Sequence, residues 1–275
     1  MVAFNPAFVI DDTNWNQPDV MGDRLQVRGH PLTLRGDLAR PWKYCQAPEA
    51  VKALDFELIP REQWPDLISK KDREKTWPED ILRDSITGIQ TIDQDGLNYC
   101  WAYCVAQEIM STRCLEGHPY VWLAAESLGG PLVNFRNVGG WPEEAMKAAM
   151  TDGIAPMSCL NGTEHKLSPS RWAGDWKQQA KKFKVEKFTD LSVANKVFDA
   201  CCTASFNSRT HAAGFGWWGH AVLSGLRVVL LSLRPLQFGI KIWNNWGEDW
   251  KERGMAVLSE SKGTPDLGAV FANVA

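Results

Sequence analysis

The sequence predicts an α+β fold, in which helices lead and strands follow. Three observations carry that prediction. Apolar residues recur at near-helical spacing from Asn98 to Glu116. A helix start is written into Trp141-Pro142-Glu143-Glu144. After Phe206 the texture changes to short β-rich runs at Ala221–Val229, Phe238–Trp243 and Met255–Val257.

In chain order, residues 1–46 are polar and broken by Pro6, Pro18, Pro31 and Pro41, which reads as an extended arm that needs something to lie on. Two short helices follow, Ala47–Leu54 and, after Pro60, Arg61–Lys75. The second ends in Lys70, Lys71, Arg73 and Lys75, cations that suit a helix C-terminus. The long helix from Asn98 carries Tyr99, Tyr103, Ile109, Met110 and Cys114 on its apolar face and stops at Gly117. The next has Pro142 in its first turn and Gly153 beyond its end. A third is expected over Leu191–Cys202, capped by Asp190. The strands turn at Arg234-Pro235 and at Arg253-Gly254. The implied organisation is an N-terminal extension over 1–75, a helical unit over 76–182 and a β-rich unit over 183–275.

Composition narrows the function. The chain has 275 residues, 30 Lys+Arg against 33 Asp+Glu, a net charge of −3 and 44% hydrophobic residues. That is enough apolar material for a real core and too much for a disordered chain. No basic stripe suits nucleic acid; the run Lys181, Lys182, Lys184, Lys187 reads as a solvated face. The longest apolar stretches, Tyr120 to Ala125 and Val228 to Leu231, are far short of the roughly 20 residues that span a bilayer. Met1-Val-Ala-Phe-Asn-Pro does not read as a secretory signal. Seven cysteines without a CxxC pair argue against a zinc site or a disulfide scaffold and for a reducing, cytoplasmic setting. The sequon Asn161-Gly-Thr163 then marks only a surface turn. The 14 tryptophans against 4 tyrosines read mainly as core and interface anchors.

The densest chemical signal is Gln94-Asp-Gly-Leu-Asn-Tyr-Cys100-Trp101-Ala102. Cys100 opens the first long helix, where unpaired N–H groups and the positive dipole end favour a thiolate. A lone cysteine reads by default as a small buried hydrophobe. Two downstream segments change that. Gly219-His220-Ala221-Val222 puts a histidine at a strand start, 120 residues after Cys100. Trp243-Asn244-Asn245-Trp246-Gly247 follows another strand, with Asn244 lying 144 residues after Cys100. A cysteine with His and Asn about 130–150 residues later is the papain pattern.

On these residues the sequence resembles the papain-like (C1) cysteine peptidases over about residues 76–275, and not over 1–75. The resemblance implies a two-lobed fold, a helical lobe carrying Cys100 and a β-barrel-like lobe carrying His220 and Asn244, with the cleft between. It implies Cys100 as nucleophile, His220 as its base and then acid, and Asn244 as the group that orients the imidazole. Gln94 becomes the oxyanion donor, and Trp246 shields the His–Asn contact. Gly139-Gly140-Trp141-Pro142 matches the segment that binds substrate backbone. Trp141 and Trp218 are then expected to border the pocket for the second residue upstream of the cut, favouring a small or medium apolar side chain there. No metal and no cofactor is implied; the partner is a peptide or protein substrate, with no nucleic acid and no membrane.

The departures are informative. Leu97 and Asn137 stand where the family places a disulfide, which fits an intracellular member. Tyr99 precedes the nucleophile where the family prefers a small residue, and its ring is expected to crowd the cleft. Residues 1–75 lack the propeptide helix motif; they are expected to dock on their own domain or on a neighbouring subunit, the alternative being a pro-like segment that lies across the cleft and inhibits. Other signals are weaker. Gly214-Phe-Gly216-Trp-Trp-Gly219 matches GxGxxG but precedes a strand, not a helix. His211 lacks the Ala-Val context of His220. Cys104, Cys159, Cys201 and Cys202 read as core or surface thiols, and His30, His118 and His165 show no ligand spacing. Two alternatives stand beside the peptidase. One is a papain-like structural component of a larger assembly such as a virus particle, its cleft covered. The other is a related thiol enzyme, a transglutaminase or a cell-wall amidase; a transglutaminase takes Asp as third member, whereas this chain offers Asn244.

Overall fold

The computed structural model describes residues 8–17, 20, 51–52, 54–85 and 92–274. Its strands are β1 (Val9–Ile10), β2 (Val51–Lys52), β3 (Val185–Asp190), β4 (His211–Phe215), β5 (His220–Leu233), β6 (Leu236–Trp243), β7 (Met255–Ser259) and β8 (Leu267–Val274). Its helices are α1 (Trp64–Glu74), α2 (Pro78–Ser85), α3 (Cys100–Leu115), α4 (Ala125–Leu132), α5 (Pro142–Thr151), α6 (Trp176–Ala180), α7 (Val197–Phe206) and α8 (Glu260–Gly263). The strands form one eight-stranded sheet in the order β1-β7-β6-β5-β4-β8-β3-β2. The interior pairs are antiparallel; the short outer strands β1 and β2 run parallel to β7 and β3. The mixed α+β class predicted from sequence is the class observed.

Side-chain alternation along the strands makes two cores from one sheet. Ala212, Ala221, Ala269 and Phe271 join the cluster around α3, with Trp101, Tyr103, Ile109 and Met146. Their neighbours Ala213, Val222 and Val270 join the opposite cluster, with Trp64, Phe198, Phe206 and Phe238. Every residue of α3 from Cys100 to Cys114 is buried. A helix covered on all sides is a core helix, packed between α4 and α5 on one side and the sheet on the other. It ends where expected: Gly117 adopts φ +86°, and His118 N–H closes on Arg113 O at 2.9 Å. α5 begins at Pro142 with Glu143 and Glu144 in its first turn. Gly153 follows at φ +77°, with room for no side chain, since a Cβ would stand 2.1 Å from Ala180 O.

The described parts of residues 1–75 belong to the β-rich half. Ile10 is fully buried on β1. Trp64 of α1 packs on Phe238 at 4.8 Å and on Phe206 at 5.6 Å between ring centroids. α1 and α2 are tied to the sheet by ions: Lys241 Nζ meets Glu79 Oε1 of α2 at 2.9 Å, each side chain 3% exposed, and Arg227 reaches Asp72 of α1 at 3.1 Å and Asp80 of α2 at 3.2 Å. Removing one partner of such a buried pair typically costs about 3–5 kcal/mol.

Two expectations need correction. Of the helix expected over Ala47–Leu54, residues 47–50 and 53 lie outside the described residues, and Val51–Lys52 is a strand on β3. The helix expected over Leu191–Cys202 is a single 3-10 turn, Leu191–Val193, and then α7 from Val197. Asp190 does cap, its side chain accepting Ser192 N–H at 2.8 Å, but Ala194 turns extended (ψ 143°) and interrupts the helix. β3 was hidden by its irregular pattern: the charged pair Glu186-Lys187 interrupts buried Val185 and Phe188.

Glu108 on α3 is fully buried, accepting from Thr112 Oγ1 at 3.1 Å and Phe271 N at 3.4 Å. Burial pushes its carboxyl up to about 8, against the pull of those bonds. The folded chain therefore keeps a proton that the unfolded chain releases above about 4.5, so stability falls as pH rises through that window. Glu108→Gln should remove this contribution, so that between pH 7 and pH 8, above the range in which the buried His211 and His220 titrate in the unfolded chain, the melting temperature of the variant declines less than that of the parent. Thermal melts across that range check it, and parallel curves would refute it.

Candidate active site

Cys100 is the first residue of α3, with Tyr99 as its cap and no acidic side chain in the first turn. The packing of α3 on β5 sets the thiol beside the backbone amide of Ala221, one residue past His220. Cys100 is 2% exposed. Burial pushes the thiol up to about 12, against the pull of the Ala221, Trp101 and Cys100 amides.

His220 opens β5 and is fully buried. Its Nε2 lies 2.7 Å from Asn244 Oδ1. The same Oδ1 accepts the Asn245 backbone N–H at 2.8 Å, which fixes the amide orientation because that N–H can meet only an oxygen. An oxygen that only accepts requires a proton on His220 Nε2. In the neutral ring Nδ1 is then the bare acceptor, and it has no hydrogen-bond partner among the described residues. Burial lowers the imidazole to about 3, partly opposed by the Asn244 bond. Trp246 covers the pair, its ring centroid 4.4 Å from that of His220, and Trp218 meets the imidazole edge-on at 5.0 Å.

Gln94 sits in the loop before α3, 8% exposed. Its Nε2 donates to Leu97 O at 2.6 Å, which uses one of two amide hydrogens. The Gln94 loop is laced to the Asn244 loop by Gln94 N–H on Asn245 O at 2.9 Å and Gly247 N–H on Ile92 O at 3.1 Å. Gly140 lies against Trp101, where a Cβ would stand 2.4 Å from the indole. Gly139 is buried beside it and Trp141 caps α5 at 9% exposure. So His220, Asn244, Trp246 and Trp218 come together directly, and Gln94 and Cys100 join them through backbone neighbours. The Gly139–Trp141 segment reaches Cys100 through the adjacent Trp101.

Tyr99 does not crowd the cleft as expected. It is fully buried, its hydroxyl donates to Arg136 O at 3.0 Å, and its ring packs where a Gly129 Cβ would come within 3.0 Å. Trp218, expected to border a substrate pocket, is also fully buried, with Trp217 stacked on it at 5.4 Å. His211 on β4 stands opposite Ser224, buried, with neither ring nitrogen partnered among the described residues, and burial lowers it to about 3. Gly214–Gly219 is the end of β4 and its turn into β5. Cys104 Sγ bonds Trp101 O at 3.4 Å. Cys100, Cys104, Cys114, Cys159, Cys201 and Cys202 are all free. His30 lies outside the described residues. Among the described residues no cluster of His, Cys, Asp or Glu could hold a metal ion, and no helix is long and apolar enough to cross a membrane.

Two residues were missed from sequence. Asn245 is fully buried and joins its own loop to the Gln94 loop and to the start of β5: its O takes Gln94 N–H, its N–H donates to Asn244, and its Nδ2 donates to Ala221 O at 3.1 Å. Asn137 stands at an expected disulfide position and clamps the same two loops without sulfur. Its Oδ1 accepts Asn98 N–H at 2.6 Å and its Nδ2 donates to Gly96 O at 3.1 Å. The doubled Asn at 244–245 and the paired loss of both cysteines were the available signals.

No family model and no curated protein matches the chain. Solved structures do. A digestive procathepsin L from Tenebrio molitor larval midgut is similar at TM-score 0.57 and 15% identity, over 70% of this chain and 68% of that one. Procathepsin B from Trypanosoma congolense is similar at TM-score 0.56 and 16% identity, over 83% and 85%. Xylellain, a cysteine protease from Xylella fastidiosa, is similar at TM-score 0.53 and 15% identity, over 70% and 85%. The fold is thus that of the papain-like cysteine proteases, two-lobed and α+β.

Asn137→Ala removes both side-chain bonds of the clamp. It should lower stability by about 1–2 kcal/mol in chemical denaturation, and Asn137→Asp, which keeps the acceptor, should recover part of it. An unchanged midpoint would show that the loops hold without the clamp.

Proposed function

We propose that the chain is a cysteine peptidase that hydrolyses peptide bonds through Cys100, His220 and Asn244. The observation that carries the reading is the His220–Asn244 bond at 2.7 Å beneath Trp246, its amide locked by Asn245. It leaves Nδ1 of a neutral ring as the one available base, on the strand whose next amide adjoins the Cys100 thiol.

The chemistry follows. His220 Nδ1 takes the thiol proton, and the thiolate adds to the scissile carbonyl carbon. The oxyanion is held by the Cys100 backbone N–H at the start of α3 and by the second amide hydrogen of Gln94. His220 then gives its proton to the leaving amine, and the C–N bond breaks to a thioester. Water, deprotonated by His220, cleaves the thioester and restores the thiol. Asn244 keeps the ring in one tautomer while its charge changes, and Trp246 keeps water from that bond. Gly139, Gly140 and Trp141 offer backbone to an extended substrate, with Trp218 behind His220. Endopeptidase action in a reducing compartment is the fuller form of this reading.

A second reading is favoured by burial itself. Cys100 at 2% and His220 at 0% exposure suit a papain-like fold kept as a component of an assembly, with its cleft covered.

A peptidyl epoxide and intact-mass measurement separate the two. Wild type should gain one adduct and Cys100→Ala none, and Gln94→Ala should lose on the order of 100- to 1000-fold in turnover of a fluorogenic peptide. Absence of an adduct on folded wild type would favour the assembly component. Unchanged turnover in Gln94→Ala would remove Gln94 from the oxyanion site. Release of soluble fragments from purified peptidoglycan would point instead to a cell-wall enzyme.

A further inference from the structure

The aromatic groups around His220 continue outward to the N-terminal segment. Trp218 meets His220 edge-on at 5.0 Å, Trp217 stacks on Trp218 at 5.4 Å and 8°, and Trp15 meets Trp217 edge-on at 5.9 Å. Trp250 closes the other side, stacked on Trp218 at 5.9 Å. Lys262 of α8 ties the outer rings together. Its Nζ lies 4.6 Å from the Trp15 centroid and 5.4 Å from that of Trp217, its carbonyl accepts Trp217 Nε1–H at 3.1 Å, and its ammonium pairs with Asp12 at 2.9 Å. Cation–π contacts of this kind are attractive and directional.

The segment that carries Trp15 is itself fixed. β1 pairs with β7 through Val9 and Ile10, and Val257 N–H bonds Phe8 O at 3.0 Å. Asp11 and Asn14 close a tight turn: Asp11 Oδ1 accepts Thr13 N–H at 2.8 Å, and Asn14 Nδ2 donates to Val9 O at 2.8 Å. Phe8 lies under the ammonium of Lys251 at 3.8 Å. Residues 8–17 are thus held at Phe8 and at β1, and they reach the aromatic wall behind His220 through Trp15.

We propose that Trp15, acting through Trp217 and Trp218, is a positioning residue for the His220 imidazole, so that residues 8–17 are a retained wall of the site rather than a segment to be removed. The proposal rests on the peptidase reading for its catalytic consequence, but the ring position can be read without it. Trp15 is half-buried and its loss leaves Ile10 and the β1–β7 pairing in place, so the full chain should still fold.

The test compares full-length wild type, Trp15→Ala and Trp15→Phe. Histidine side chains labelled with ¹³C report the His220 ring by NMR, with His211 as internal control and His220→Gln for assignment. Peptide turnover over a pH series reports kcat and KM separately. Trp15→Ala should move the His220 resonance and leave His211 in place. It should lower kcat on the order of 10-fold with KM within about 2-fold, as a misplaced catalytic group does; Trp15→Phe should recover both. A lower melting temperature with His220 and kcat unmoved would overturn the proposal. So would a rise in turnover, which would make the segment inhibitory. If wild type neither turns over peptide nor labels at Cys100, the peptidase reading fails. The His220 resonance then decides alone: a shift restored by Phe keeps the positioning role, and an unmoved ring rejects it.

Discussion

The burial of α3 against the sheet is the constraint on which the site depends. Trp101, Tyr103, Ile109 and Met110 are each at most 3% exposed, and each such burial is worth about 1.5–3 kcal/mol. Only a helix entering between the sheet and α4–α5 satisfies them together. That entry fixes where its first residue stands, next to the opening of β5. The polar side chains on the same helix are acceptable only with partners. Glu108 finds two of them, one a backbone amide of β8 on the far side of the interface.

What the core leaves undecided, short loops decide. The segments at 92–97, 220–221 and 244–247 come from three separate stretches of chain, and Asn245 holds all of them with its own backbone and amide. A buried asparagine that joins two loops and a strand end gives a preorganised site, because no one segment can move without leaving a buried polar group unpaired. Asn137 repeats the device nearer the surface. Hydrogen bonds thus do here what a covalent bridge does in an oxidising setting, with less strength and no dependence on redox state.

Legibility in the sequence follows from how local the determining physics is. α3 and α5 were readable because spacing, a proline at the start and a glycine at the stop all lie within a few turns of chain. Cys100, His220, Asn244 and Gln94 were readable as candidates because each sits in a short motif in a fixed order. β1, β2 and β3 were not, since a two-residue strand has no period and in β3 the consecutive Glu186 and Lys187 break the two-residue alternation. α7 slipped because the break at Ala194 is a backbone choice that no composition signals. Tyr99 was misplaced for a related reason. An aromatic before the nucleophile reads as cleft-lining until one sees that the glycine at 129 makes room for it inside.

The protonation of the pair follows from the same burial. Burial raises the Cys100 thiol to about 12 and lowers the His220 imidazole to about 3, so it favours the neutral form of each. Water or substrate dipoles within reach of the two groups would favour the charged forms that the proposed chemistry uses. The donors already in place, the α3 N-terminus and the Ala221 amide, lower the thiol in the right direction. Asn244 raises the imidazole. The groups beside the thiol and the imidazole thus oppose burial in the direction that the proposed chemistry needs, while Asn244 Oδ1 keeps the proton on Nε2.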